Sequence, residues 1–259
     1  MTRSAAEFDR WYADRVESPV ADELVQRMLG LPPDLQSTSL LSGAGLDEVV
    51  TALGLRGGQV LLDLACGRGG YGLEIARRSG SRVVGVDFSA VAIEQAQRRA
   101  QTLELADQAD FRVGELTRTG LRTASVDAVL IVDSIQFAEP KLDALRECRR
   151  VLLPGGRIVV TCWEALDDTD ERLSPRMRQL DLLKQLPRAG FVNVEVTDKP
   201  AWRMAEQALW QKALTVNADD DLAMQSMQEE AQRVLATFDG LRRVLATACT
   251  PNPVHASPA

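Results

Sequence analysis

Between Val60 and Asp87 the chain constrains its own fold more tightly than anywhere else. The apolar run Val60-Leu61-Leu62 leads into Asp63-Leu64-Ala65-Cys66-Gly67-Arg68-Gly69-Gly70. A second apolar run, Val83-Val84-Gly85-Val86, ends in Asp87. A buried strand, a small-residue turn into a helix and a second strand closing in an acid together form a nucleoside-binding pattern. Gly67 and Gly69 let the backbone approach a ligand closely, and Asp87 is spaced to accept both hydroxyls of a ribose. This geometry serves NAD, FAD and S-adenosylmethionine alike. The dinucleotide fingerprint needs G-x-G-x-x-G at the turn, and Ala65-x-Gly67-x-Gly69-Gly70-Tyr71-Gly72 does not fit it.

From Val60 onward strand and helix patterns alternate, with strands expected at 60–64, 82–87, 110–114, 126–132 and 156–163. Ile93, Ala96, Ala100 and Leu103 keep helical spacing behind a Ser89 cap. Another helix should open at Pro140, carry Leu142, Leu145, Cys148 and Leu152, and stop at Pro154-Gly155-Gly156. A third should open at Ser174-Pro175 and run to Gly190, followed by an edge-type strand over Phe191–Val196. Such alternation implies a parallel sheet with helices on both faces. The expected fold class is therefore α/β: a Rossmann-like, seven-stranded, mostly parallel sheet.

We divide the chain into an N-terminal helical lid (1–50), a core (51–200), a helical insertion (201–240), a closing strand (241–249) and a disordered tail (250–259). Phe8, Trp11 and Tyr12 mark the lid's apolar face, either over the site or in the core. The insertion carries two stripes, Trp202, Ala205, Leu209, Ala213 and Val216, then Met224, Met227, Ala231, Val234 and Phe238. Such stripes commonly form core and can also line a pocket.

Three segments carry a family resemblance. Leu62–Gly69 resembles the first motif of class I S-adenosylmethionine-dependent methyltransferases, Val84-Gly85-Val86-Asp87-Phe88-Ser89 their second, and Arg149-Arg150-Val151-Leu152-Leu153-Pro154-Gly155-Gly156 the segment before their fifth strand. They occur in family order and spacing. The resemblance, to small-molecule, bacterial members, implies S-adenosylmethionine as cofactor. It places Asp63, Ala65, Cys66, Gly67 and Gly69 around the methionine part, with Asp63 orienting its amino group. It places Asp87 on the ribose, Phe88 against the adenine, Gly114, Glu115 and Leu116 around the adenine amino group, and Val132 and Asp133 on the sulfonium side. Ala65 stands where the family usually has glycine, and Glu115 replaces a commoner Asp.

The only histidine, His255, lies in the tail, so a general base must be a carboxylate, Tyr, Cys, Lys or water. Asp133 and Glu164, each at the carboxyl end of a strand, are the catalytic candidates, although either can serve a structural role. No trio of acids suggests a metal. A net charge of −7 argues against a nucleic-acid partner, as does Asp133-Ser134-Ile135-Gln136, which lacks the Asn/Asp-Pro-Pro-Tyr/Phe of amino-methylating enzymes of nucleic acids. Apolar runs are too short for a membrane span, and four scattered cysteines fit a reduced, cytoplasmic setting. The expected activity is methyl transfer to a small, fairly apolar metabolite. The alternatives are a methyltransferase-like binder with another or no activity, and a protein or RNA methyltransferase.

Overall fold

The computed structural model describes residues 9–10, 12–13, 19–37 and 39–252. Phe8, Trp11 and His255 lie outside them, as does most of the tail. Helices α1 (Pro19–Leu29) and α2 (Gly43–Leu53) precede the sheet. Then come β1 (Val60–Leu64), α3 (Gly70–Ser79), β2 (Arg82–Asp87), α4 (Ala90–Thr102), β3 (Ala109–Val113), β4 (Val126–Val132), α5 (Lys141–Val151) and β5 (Leu152–Ala165). The chain closes with α6 (Pro175–Arg178), α7 (Leu182–Arg188), β6 (Val192–Asp198), α8 (Pro200–Ala213), α9 (Leu222–Leu235) and β7 (Leu241–Cys249).

The seven strands form one sheet in the order β3-β2-β1-β4-β5-β7-β6. Pairings from β3 to β5 are parallel, and β7 inserts antiparallel between β5 and β6. Central strands are apolar on both faces because helices cover both. Leu61, Leu130 and Val159 face a core shared with α1–α4, α8 and α9, while Leu62, Val129 and Val160 face α5 and α7. Strand β6, with its alternating polar residues, is the edge.

Local signals explain most boundaries. Ser89 accepts from the Ala92 amide and caps α4, and Ser42 does the same for α2 through Gly45. Two expectations need correction. Pro140 is the cap rather than the first turn of α5, which ends at Val151; Pro154-Gly155-Gly156 lies within β5, where Gly155 takes φ 73° and the pairing with β4 shifts register. The helix expected from Ser174 to Gly190 is two, because Asp181 leaves helical geometry and caps α7 through the Lys184 amide.

The N-terminal elements are tied to the first loop by charge. Arg68, 3% exposed, donates two 2.8 Å hydrogen bonds to the Asp22 carboxylate of α1. No helix among the described residues is long and apolar enough to cross a membrane.

Candidate active site

The strand order reverses between β1 and β4, and a cavity of about 1030 Å³ opens at the carboxyl ends of these strands and their neighbours. One end is lined by Ala65, Asp87, Phe88, Gly114, Glu115 and Leu116, the other by Trp163, Met177, Glu206, Trp210, Met227 and Val234. Asp133 lies on the wall as well. Single small-ligand sites span roughly 300–1,000 Å³, so this cavity lies at the upper end of that range.

The β1–α3 loop is shaped by two amides that share one acceptor: Ala65 and Cys66 donate to the Val86 carbonyl at 2.7 and 3.1 Å. Ala65 takes φ 61° to do so. Left-handed backbone costs a residue with a Cβ about 1–2 kcal/mol, and the extra freedom of an unfolded glycine costs about 0.5–1 kcal/mol. Ala65→Gly is therefore expected to stabilise the protein by about 0.5 kcal/mol net, read as a rise in thermal midpoint of about 1–2 °C. A lower midpoint would mean that the Ala65 methyl packs better than its backbone strain costs.

Gly69 also has positive φ, at 76°, but a Cβ there would meet the Phe111 ring at 2.9 Å. Its smallness serves helix–sheet packing. Gly67 donates its amide to Asp87 Oδ2 at 2.8 Å, and Ser89 donates to Asp87 Oδ1 at 3.0 Å. The acid that ends β2 thus orients the β1 loop and still faces the cavity. Overhead, Asp9 accepts from the Ser89 hydroxyl, and Gln95 donates to the Tyr12 carbonyl at 3.3 Å. Tyr12 lines the cavity.

Not every candidate reaches the cavity. Asp63, Cys66, Gly67, Gly69, Val132 and Glu164 are not among its lining residues. Asp63 is 3% exposed and accepts from the Gly72 amide of α3 at 3.1 Å. Glu164 points to the opposite core, where it accepts from the Leu182 amide at 2.8 Å and pairs with Arg242 at 2.7 Å. That carboxylate is engaged in structure. Asp133 is engaged too: Arg243 grips both its oxygens, and Thr161 donates to Oδ1 at 2.9 Å.

Glu206 and Arg243 are the residues that sequence reasoning missed. Arg243 is fully buried, bound to Asp133 on one side and 3.3 Å from Glu206 Oε2 on the other. Glu206 is 4% exposed, and its Oε1 accepts from Trp210 Nε1 at 3.3 Å. A signal existed. Glu206 sits four residues after Trp202 and three before Leu209, which places an acid on the apolar stripe of α8.

Buried carboxyls dominate the electrostatics. Asp63 is pushed up to about 7, chiefly by burial, with the Gly72 amide opposing and Asp87 adding to the rise. Burial also raises Asp87, against the amides of Ser89, Gly67 and Phe88. Neither forms an ion pair with a described residue. Burial likewise lifts the Cys66 thiol, with Asp63 adding to it, which makes Cys66 a poor nucleophile.

These shifts have a stability consequence. A carboxyl whose pKa rises on folding, here from 3.8 to about 7, contributes stability below its ordinary pKa and loses it as pH climbs through the folded value. Asp63→Asn should therefore match the wild type near pH 4 and gain on it steadily to about pH 8 in the unliganded protein. Thermal melts across that range check this; a constant difference would mean that Asp63 is ionised throughout.

Comparison with known proteins fits this geometry. Residues 62–160, from β1 into β5, match the family described as a methyltransferase domain. Sterol 24-C-methyltransferase of Saccharomyces cerevisiae is 31% identical over 175 residues, 66% of this chain and 43% of the yeast protein. The 27-O-demethylrifamycin SV methyltransferase of Amycolatopsis mediterranei is 30% identical over 114 residues, 44% of this chain and 42% of that protein. The chain spans less than half the length of these relatives. Among solved structures, the (4+2)-cyclase SpnF superposes with a TM-score of 0.73 at 22% identity, covering 97% of this chain and 98% of that one. From its first strand into its fifth, the sheet thus carries the sequence pattern of a methyltransferase domain.

Proposed function

We propose that this protein transfers a methyl group from S-adenosylmethionine to a small, largely apolar metabolite. The observation that carries the reading is the continuity of one cavity from Ala65, Asp87 and Phe88 to Trp163, Met177, Trp210 and Met227. A donor end and an acceptor end share one enclosure, as in-line displacement requires.

The residues present fit a cationic nucleoside. Asp63 and Asp87 are buried carboxyls with no cation partner among the described residues, and a positively charged ligand would supply the missing counter-charge. Asp87 would accept from ribose hydroxyls, and Glu115, exposed beside it, from the adenine amino group. Asp63 would act on the ligand's ammonium from beneath the loop, through electrostatics rather than contact. When bound, the sulfonium supplies an electrophilic methyl carbon. The chain's own part is to orient the two ligands and to keep water out with Tyr12 and the α8–α9 pair.

The acceptor end favours a small molecule by its enclosure and its aromatic and methionine lining. Similarity to a rifamycin-type methyltransferase supports secondary-metabolite tailoring as the setting. A cytoplasmic location is part of the same proposal. Incubation with a methyl-labelled donor and fractionated small-molecule, protein and RNA pools tests the reading. Label in the small-molecule pool is the expected result, and label confined to protein or RNA overturns it. A second reading rests on the whole-length superposition with a cyclase: catalysis without methyl transfer. It predicts a converted metabolite carrying no label.

A further inference from the structure

Between α1 and α2, residues 34–37 and 39–41 are bonded to α4, α3 and β4 in turn. Arg99 of α4 donates to the Asp34 carbonyl and to Gln36 Oε1. Tyr71, in the first turn of α3 and 4% exposed, directs its hydroxyl to the carbonyls of Ser39 at 3.0 Å and Leu41 at 2.8 Å. Ser39 in turn donates from Oγ to the Val132 carbonyl, at the end of β4, at 3.3 Å. Ser39 and Leu40 line the cavity, whereas Tyr71 and its neighbour Gly70 do not.

Gly70 is shaped to the same segment. It opens α3 without left-handed backbone, yet a Cβ there would lie 2.3 Å from the Gln36 carbonyl oxygen, with Leu35 next nearest. The missing side chain therefore makes room for the chain above it. Sheet order says what that chain can meet. Strand β2, ending in Asp87, lies on one side of β1, and β4, ending in Val132, on the other. A donor with its ribose on Asp87 reaches Ser39 and Leu40 with its far end, the amino-acid arm beyond the sulfur. Burial raises the Tyr71 phenol well above its ordinary value, with Asp133 adding to the rise, so it keeps its proton and donates at every working pH.

We infer that this segment is a strap that walls in the amino-acid arm of the donor, and that Tyr71 and Gly70 are the positioning residues that set it there. The inference rests on the methyl-transfer reading above for the identity of the donor. Neither residue touches the ligand. Tyr71 fixes the height of the strap by holding two of its carbonyls, and Gly70 fixes how closely Gln36 approaches α3. Both act on the donor only through Ser39 and Leu40.

Calorimetry on the full chain tests this with two ligands: S-adenosylhomocysteine, and 5′-methylthioadenosine, which keeps the nucleoside and the sulfur but lacks the arm. Absence of S-adenosylhomocysteine binding in the wild type defeats the donor assignment itself. Given binding, Tyr71→Phe should weaken S-adenosylhomocysteine about five- to tenfold, the worth of one hydrogen bond, and leave 5′-methylthioadenosine within about twofold. Gly70→Ala should weaken S-adenosylhomocysteine at least as much. Alanine suits a helical turn better than glycine, so this affinity should fall out of proportion to the thermal midpoint. Asp181→Ala is the control. It removes the cap of α7, which packs in the other core, and should lower the midpoint by about 2–4 °C while leaving both affinities unchanged. Unchanged S-adenosylhomocysteine affinity in Tyr71→Phe, or a loss no greater than that of Asp181→Ala, overturns the inference. Equal losses for the two ligands place the strap on the nucleoside and overturn its assignment to the arm.

Discussion

Arg243→Leu is expected to destabilise the protein by about 3–5 kcal/mol, the usual cost of removing one member of a buried charge cluster. For a domain of this size that lowers the thermal midpoint by roughly 10 °C. The cost does not come from a lost attraction alone. Arg243 is fully buried and holds Asp133 through both guanidinium nitrogens, with Glu206 Oε2 at 3.3 Å. Its removal leaves two buried carboxyls facing each other without a cation, and the backbone of Asp133, at φ 54°, keeps its carboxylate in place. The cluster ties β4 to α8 and β7, so the loss is distributed over three elements. Burial alone would pull the guanidinium down, but Asp133 and Glu206 more than offset it, so Arg243 keeps its charge throughout the working pH range.

A rescue experiment separates this account from simple packing loss. Adding Asp133→Asn and Glu206→Gln to Arg243→Leu removes the stranded charges, and buried ion clusters replaced as a whole are often close to neutral in stability. The triple variant should melt several degrees above Arg243→Leu. If the three changes are instead additive, the cluster is not an electrostatic unit.

That cluster also marks where sequence reading stops. Strands β1, β2 and β4, the Ser89 cap and the edge character of β6 follow from local pattern: unbroken apolar runs, a hydroxyl before a helix, an alternating strand. The juxtaposition of the β1 loop with Asp87 was legible for the same reason, since loop and acid lie in one βαβ unit. Asp133, Arg243 and Glu206 come from β4, β7 and α8, and only the antiparallel insertion of β7 beside β5 brings them together. Nothing in the neighbourhood of Arg243 in sequence, Leu241-Arg242-Arg243-Val244-Leu245, reveals which arginine turns inward. Glu164 stays away from the cavity for a related reason. It stands at the right end of the right strand, but one-residue alternation sends it to the face where Arg242 and Leu182 occupy it.

Asp87→Ala is expected to weaken S-adenosylhomocysteine binding about hundredfold, while Glu115→Ala weakens it only a few-fold. Two hydroxyl donors to one buried carboxylate contribute about 3 kcal/mol together, which corresponds to that factor. Asp87 is 4% exposed and rigidly held, its two oxygens already oriented by the Gly67 and Ser89 amides. Little entropy is lost when a ribose docks against it. Glu115 is exposed and sits in a turn closed by its own bridge to Arg118, so any bond it makes to adenine competes with water. Removing Asp87 also frees the Gly67 amide and loosens the β1 loop, which adds to the loss; Asp87→Asn, which keeps one acceptor for an amide, should fall between wild type and Ala. Calorimetry on the three variants checks the order. If Glu115→Ala proves the more damaging change, the nucleoside is held through its base rather than its ribose, and the central role given to the acid at the end of β2 is wrong.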